Sequence, residues 1–192
     1  MPLISVVTSV HNGEAYLKEC VDSVLNQTFQ DFEYIILNNG STDRTPEILS
    51  KYKDPRLRII HQENLGVPRS LNKGVSLCNA DLVARLDADD YVYPNWLEKY
   101  YEFMSENQEV FVCSCRFDEL IKGKIYPQNF PFIEHDPDIR ESLCSMNSIA
   151  HSLSIIRKLP FLRPVGMIPN LLLPMTMTCG YVCWMRKSPQ FK

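Results

Sequence analysis

The chain has 192 residues, of which 45% are hydrophobic and 22% charged, as expected for a soluble globular domain with a sizeable core. A net charge of −3 and the lack of a basic run give no indication of a nucleic-acid partner. The seven cysteines are odd in number and form no CxxC pair. They favour free thiols in the reducing cytosol over a disulfide framework or a structural zinc site, and the N-terminus does not resemble a signal peptide.

The first predicted element is a buried strand over residues 3–9, where the sequence is apolar and β-branched. A turn at His11-Asn12-Gly13 follows it, and then an amphipathic helix at about residues 14–26. Further strands are predicted at residues 32–37, 57–61, 81–86 and 110–115. Further helices are predicted around Pro46, at about residues 68–78 and from Pro94 onward. Alternating strands and helices predict an α/β fold with a mostly parallel sheet flanked by helices.

Polar clusters follow three of these strands, at residues 9–12, 38–43 and 87–90. Ligands of open parallel sheets bind outside the carboxyl ends of the strands, so we expect the three clusters to form one site. The third cluster contains Asp87, Asp89 and Asp90. These carboxylates can be interpreted as a solvated turn or a helix cap, which suits Asp90 because a helix follows closely. Alternatively, Asp87 and Asp89 hold a divalent cation such as Mg²⁺ or Mn²⁺.

Two segments carry a family resemblance: SVVTSVHNGEAYLKECVDSVLNQTFQDFEYIILNNGSTDRTPEIL and ENLGVPRSLNKGVSLCNADLVARLDADD. In order and spacing they resemble glycosyltransferase family 2, nucleotide-sugar transferases with the GT-A fold. The resemblance runs from about residue 4 to 101 and continues faintly to 157. It implies a metal-dependent, inverting transfer of a sugar from a nucleotide diphosphate, most simply a UDP-sugar, to an acceptor hydroxyl. The acceptor would be a glycan or a lipid-linked molecule of surface-polysaccharide synthesis, and the enzyme would be cytoplasmic, with peripheral membrane association.

The resemblance also implies roles for individual residues. Those assigned to the donor are Ser9, His11, Asn12, Asn39, Arg69 and Asp87, and Asp89 is assigned to the metal. His11 stands where family members often carry an aromatic residue against the nucleobase, although it can also be an ordinary turn histidine. Arg69 could reach a phosphate or be a solvated residue at a helix start.

The sequence departs from the family at Asn38 and Asn39, where two aspartates usually stand. The family's second position recognises uracil. An amide at Asn39 can still accept and donate hydrogen bonds, but without charge assistance, so weaker donor binding is expected. The alternative is that the asparagine pair serves only the turn.

The second departure is the missing general base, which the family supplies in an acidic pair within a segment resembling G-G-Y-D … A-E-D-Y-D-L-W-L-R. After Leu162 the chain contains no Asp or Glu. Regrouping the codons of residues 165–168, 174–180 and 180–182 by one base permits G-G-Y-D, A-D-D-Y-D-L-W and L-R-L in a single frame. We therefore predict a glycosyltransferase domain over residues 1–162 and an out-of-frame tail over 163–192. Residues 165–185, which lack charge, could instead be a membrane span, although two prolines and several polar residues oppose this.

With the base missing, we expect this chain to retain donor binding and to show very weak transfer or none. The alternatives are a non-catalytic nucleotide-sugar-binding remnant, a dinucleotide-binding Rossmann protein and a misfolded gene product. The absence of a G-x-G-x-x-G sequence after the first strand opposes the Rossmann alternative.

Overall fold

The computed structural model describes residues 1–115, 117–121, 124–127, 152–158 and 185–187. The helices in these ranges are α1 (Leu17–Leu25), α2 (Thr45–Ser50), α3 (Val67–Leu77) and α4 (Trp96–Glu106). The strands that precede α4 are β1 (Ile4–Val10), β2 (Phe32–Asn39), β3 (Leu57–Gln62), β4 (Leu82–Arg85) and β5 (Asp90–Tyr91). Those that follow it are β6 (Val112–Cys113), β7 (Asp118–Ile121), β8 (Lys124–Pro127), β9 (Ile155–Arg157) and β10 (Met185–Lys187).

The main sheet has the strand order β3-β2-β1-β4-β9-β6. Strands β3, β2, β1 and β4 are parallel, and β9 runs antiparallel to both β4 and β6. A smaller sheet has the order β5-β10-β7-β8, in which β10 pairs antiparallel with β5 and parallel with β7. The predicted α/β fold with a mostly parallel sheet flanked by helices is therefore confirmed. The predicted strand at 110–115 is only two residues long, and β9 separates it from β4.

Alternate residues of the central strands face two apolar layers because successive side chains of a strand point to opposite faces. One face, with Val6, Tyr34 and Ile36, packs in the larger core cluster with the buried residues of α1 and α4. The other face, with Val7 and Leu37, packs against α3. At the carboxyl ends the same alternation sends Thr8 toward the first layer and both Ser9 and Asn39 toward the second.

Gly74 lets α3 lie directly on the second face of the sheet. A Cβ atom at this position would come within 2.5 Å of Val7 Cγ1 and 2.8 Å of Leu37 Cδ1. We expect Gly74→Ala to destabilise the fold by roughly 1–3 kcal/mol through overpacking, despite alanine's better helix propensity. Equilibrium urea unfolding measures this change, and Lys73→Ala on the exposed side of α3 is the control. Equal stability of the Gly74→Ala variant and the parent chain would contradict the close packing.

Two local predictions need correction. Helix α1 begins at Leu17 instead of residue 14, because Gly13 O first accepts the amides of Tyr16 and Leu17 at 3.1 and 2.9 Å in a turn. Asp90 is neither a solvated residue nor a helix cap. It lies in β5 with 1% of its surface exposed, and Asn95 stands at the N-cap of α4.

The predicted tail at residues 163–192 lies outside the described residues except for β10, so the membrane-span alternative stays untested there. None of the helices in the described ranges combines the length and the apolar character that a bilayer crossing requires. Four cysteines in these ranges are buried free thiols: Cys20, Cys78, Cys113 and Cys115.

Candidate functional site

The three polar segments meet because β2, β1 and β4 are adjacent parallel strands whose carboxyl ends lie at the same edge. The first and second segments are joined at Asn12. Its backbone N–H donates to Ser41 Oγ at 2.9 Å, and its Oδ1 accepts the Thr42 N–H at 2.8 Å. The left-handed backbone of Asn12, with φ of 55°, allows both contacts and is a conformation that asparagine tolerates.

His11 is exposed above the end of β2. Its Nδ1 lies 3.0 Å from the backbone oxygen of Asn39. A carbonyl oxygen can only accept, so Nδ1 carries the proton and donates this bond. The bond fixes one edge of the imidazole at the sheet and leaves the ring at the solvent-facing side of the site. This placement suits a stacking role against a planar ligand.

Asn39 lies beneath this surface, with 2% of its surface exposed. Its Oδ1 accepts hydrogen bonds from Gln62 Nε2 at 2.9 Å and from the Leu65 N–H at 3.0 Å. Its Nδ2 donates to Asn64 Oδ1 at 3.2 Å. The side chain therefore fixes the segment between β3 and α3, and turn chemistry at residues 38–43 does not account for these bonds.

The start of α3 is linked to the same network through Ser70. Ser9 Oγ donates to Ser70 Oγ at 2.8 Å, and Gln62 Nε2 donates to the same atom at 3.1 Å. Arg69 lies in the first turn of α3 with an exposed side chain, and no described residue forms a hydrogen bond or ion pair with it. Its guanidinium is therefore available to an anion at this edge.

The acidic segment after β4 forms a tight turn, in which the Asp90 N–H donates to Asp87 O at 3.1 Å. Carboxylate oxygens of Asp87, Asp89 and Asp90 all lie within 4.8 Å of one another. Three negative charges this close repel unless cations or donors compensate them. One compensating group is Arg85, whose Nη2 lies 2.7 Å from Asp87 Oδ1 with only 13% of its side chain exposed.

The Asp90 carboxylate has a different partner, a hydrogen-bond donor from a residue distant in sequence. Ser152 Oγ donates to Asp90 Oδ2 at 2.6 Å and accepts the Asp87 N–H at 3.1 Å. Asp90 is buried in this contact, whereas Asp87 and Asp89 are partly exposed. Of the three aspartates, Asp87 and Asp89, the two predicted as cation ligands, are therefore the ones accessible to solvent.

A buried hydroxyl network supports the acidic turn from below. Thr8 Oγ1 donates to Leu86 O at 2.9 Å, so Tyr34 OH must donate to Thr8 Oγ1 at 3.0 Å. Cys20 Sγ donates to Asp87 O at 3.4 Å. Burial raises the pKa of the Cys20 thiol to about 12 and also raises that of the Tyr34 hydroxyl. Both groups therefore stay neutral and serve as fixed hydrogen-bond donors under the turn.

Sequence reasoning missed Arg85 and Ser152. Arg85 left a usable signal, because it stands two residues before Asp87 and alternate residues of an extended chain share a face. Ser152 left none, since it follows the acidic turn by more than sixty residues and reaches it only through β9. The roles of Gln62 and Asn64 were also missed, because polar residues in a short connection carry no specific pattern.

Known proteins resemble this chain in sequence and in fold. The profile of the family described as Glycosyl transferase family 2 matches residues 5–162. An uncharacterized glycosyltransferase of Haemophilus influenzae is 38% identical over 112 residues, which cover 57% of this chain and 35% of that protein. The chain spans about a third of the length of the first curated relatives that it matches.

Solved structures share the fold. Staphylococcus aureus TarS 1-349 in complex with UDP-GlcNAc matches with a TM-score of 0.77 at 19% identity, covering 100% of this chain and 60% of that one. The mannosyltransferase PcManGT of Pyrobaculum calidifontis, in complex with GDP-Man and Mn²⁺, matches with a TM-score of 0.74 at 15% identity. That match covers 98% of this chain and 58% of the neighbour.

Proposed function

The chain belongs to glycosyltransferase family 2, and from this premise we propose that its polar sheet edge binds the nucleotide diphosphate of a sugar donor. The donor's sugar would pass to the hydroxyl of an acceptor glycan or lipid-linked molecule. The observation that carries the proposal is the acidic turn after β4, where Asp87, Asp89 and Asp90 offer carboxylate oxygens within 4.8 Å of one another at the same sheet edge as His11 and Asn39. Neighbours of the same fold were solved with UDP-GlcNAc and with GDP-Man and Mn²⁺, which supports a nucleotide-sugar donor and a divalent ion.

The residues present fit a hard divalent cation. Carboxylate oxygens are the ligands that Mg²⁺ and Mn²⁺ prefer, and here three carboxylates offer atoms within 4.8 Å of one another. Asp90 is engaged by Ser152, so Asp87 and Asp89 would hold the ion. When bound, the ion supplies positive charge that neutralises the diphosphate leaving group.

The chain's own residues would bind and orient the rest of the donor. The ring of His11, held at Nδ1 by the Asn39 carbonyl, would stack on the nucleobase. Asn39 would shape the base site through the segment between β3 and α3, and Asn12 and Ser9 would line the floor between β1 and β2. Arg69 would pair with a phosphate, and Arg85, 2.7 Å from Asp87 Oδ1, would hold the Asp87 carboxylate in place.

The direct test is calorimetric titration of the chain with UDP and with GDP, each with and without Mn²⁺. Binding of either nucleotide that strengthens with Mn²⁺ supports the donor site, and the nucleotide that binds more tightly identifies the nucleobase of the donor. If neither nucleotide binds with Mn²⁺ present, the proposal is wrong. Transfer from a UDP-sugar at a rate typical of intact enzymes would instead contradict the prediction that this chain lacks the general base. Binding without transfer would match the non-catalytic remnant.

We further propose that residues from about Arg163 onward are read out of frame and that the general base belongs to the other frame. The family profile matches residues 5–162, which supports a change in the sequence near that point. DNA sequencing across the codons of residues 162–181 tests this. We expect a frame shifted by one base to encode an acidic pair followed by Tyr-Asp-Leu-Trp. A shifted frame that encodes nothing of this kind would make the tail genuine and require a base elsewhere.

A further inference from the structure

We propose that Ser152 is a positioning residue that sets the geometry of the acidic turn for cation binding and, through the cation, for diphosphate binding. The proposal rests on the proposed function, since it concerns how the donor site is held in shape. Ser152 would touch neither the donor nor the cation and would act through Asp87 and Asp90.

The Ser152 hydroxyl carries a single proton. The 2.6 Å bond that the hydroxyl donates to Asp90 Oδ2 uses this proton. The oxygen lone pair then accepts the Asp87 N–H at 3.1 Å. One hydroxyl thus joins the backbone at the first acidic residue to the side chain of the last. Because the Ser152 hydroxyl donates to Asp90 and accepts from the Asp87 N–H in fixed directions, the acidic turn cannot rotate without breaking one of these two hydrogen bonds.

The segment that carries Ser152 is itself firmly placed against β4. The Leu153 N–H donates to Arg85 O at 2.7 Å, and the Arg85 N–H donates to Ser154 O at 2.9 Å. Leu153 is fully buried and has a φ of 76°, a left-handed conformation that is unfavourable for a leucine. Burial and the flanking bonds hold this strained backbone in place. Local strain that is maintained in this way is common where a side chain must be aimed at a functional site.

The bond to Ser152 separates the roles of the three aspartates. Asp90 has 1% of its surface exposed and is held by the serine, whereas Asp87 and Asp89 stay partly exposed. Without the hydroxyl, Asp90 would lose a charge-assisted donor in a buried place and the Asp87 amide would lose its acceptor. The turn would then relax, and Asp87 and Asp89 would leave the spacing needed to share a cation.

The test compares four full-length chains: the parent, Ser152→Ala, the near-isosteric Ser152→Cys, and Ser105→Ala on the exposed face of α4 as a control. Mn²⁺ affinity is measured by electron paramagnetic resonance without nucleotide, and UDP affinity is measured with and without Mn²⁺. We expect Ser152→Ala to lower Mn²⁺ affinity about 10- to 100-fold, the usual effect of removing a partner that orients metal ligands. Ser152→Cys should show a smaller loss because a thiol is a weaker donor, and Ser105→Ala should match the parent.

Each outcome distinguishes a role of Ser152 in positioning the cation ligands from a role in the stability of the fold alone. A lower midpoint of thermal unfolding in Ser152→Ala with unchanged Mn²⁺ affinity would overturn the proposal. If Ser152→Ala fails to fold, Ser152→Cys decides, because unchanged Mn²⁺ affinity there has the same meaning. UDP affinity without Mn²⁺ should stay unchanged in all variants, and an equal loss with and without Mn²⁺ would also overturn the proposal. A parent chain that binds neither Mn²⁺ nor UDP refutes the proposed function itself.

Discussion

Replacing Asp89 with asparagine is expected to remove the Mn²⁺-dependent part of UDP affinity, a loss of at least about tenfold or 1.4 kcal/mol. Asparagine keeps the shape of the side chain and one oxygen but removes the negative charge. Asp89 is a partly exposed residue of the acidic turn, so the substitution should change ligand binding far more than folding. Calorimetric titration of UDP at several Mn²⁺ concentrations measures the effect.

The matched control is Asp31→Asn. Asp31 is exposed just before β2, at the end of the strand opposite the site. This variant should bind UDP as the parent chain does, with the same increase on adding Mn²⁺. Retention of the full Mn²⁺ effect in Asp89→Asn would exclude this carboxylate as a ligand. An equal loss in both variants would point to a general effect of net charge and not to a site.

Most of the fold could be predicted because each early strand and helix carries its own periodic pattern. The strands predicted at residues 32–37 and 57–61 match β2 and β3 closely, and strand alternation places Ser9 and Asn39 on the same face. The late strands were not predictable in this way. Strand β9 has three residues and enters the sheet between β4 and β6, a position fixed by tertiary pairing and not by local sequence.

The site was predictable where strand ends carry unusual polar groups, and unpredictable where remote residues complete it. The position of Asp87 and Asp89 directly after the predicted fourth strand placed both at the sheet edge. Asp90 was misinterpreted because its neighbour in space, Ser152, comes from a distant segment. A buried carboxylate needs a donor, and no local pattern in the sequence shows which distant hydroxyl supplies it.

Replacing Asn39 with alanine is expected to destabilise the fold by roughly 2–4 kcal/mol, because three hydrogen bonds to the segment between β3 and α3 would be lost in a buried place. The bonds run to Gln62, Asn64 and Leu65 at 2.9, 3.2 and 3.0 Å. Equilibrium urea unfolding measures the change. Asn26→Ala, which removes an exposed amide at the end of α1, should cost about 0.5 kcal/mol or less. Parent-like stability of Asn39→Ala would contradict the network.

Asn39→Asp then separates the two roles left open for this residue. Aspartate keeps the two bonds that Oδ1 accepts. The Asn64 amide could turn to donate to the second carboxylate oxygen, but its Oδ1 would then lose the bond it accepts from the Gly66 N–H at 3.0 Å, so stability should fall by less than in Asn39→Ala without matching the parent. If residue 39 also contacts the nucleobase, as the family resemblance implies, the added charge should strengthen UDP binding through a charge-assisted bond to the base N–H. Unchanged UDP affinity would show that residue 39 only organises the neighbouring segment. Because 2% of Asn39 is exposed, base contact requires the segment at Asn64 and Leu65 to move when the nucleotide binds, and hydrogen exchange at the Leu65 amide would report that movement.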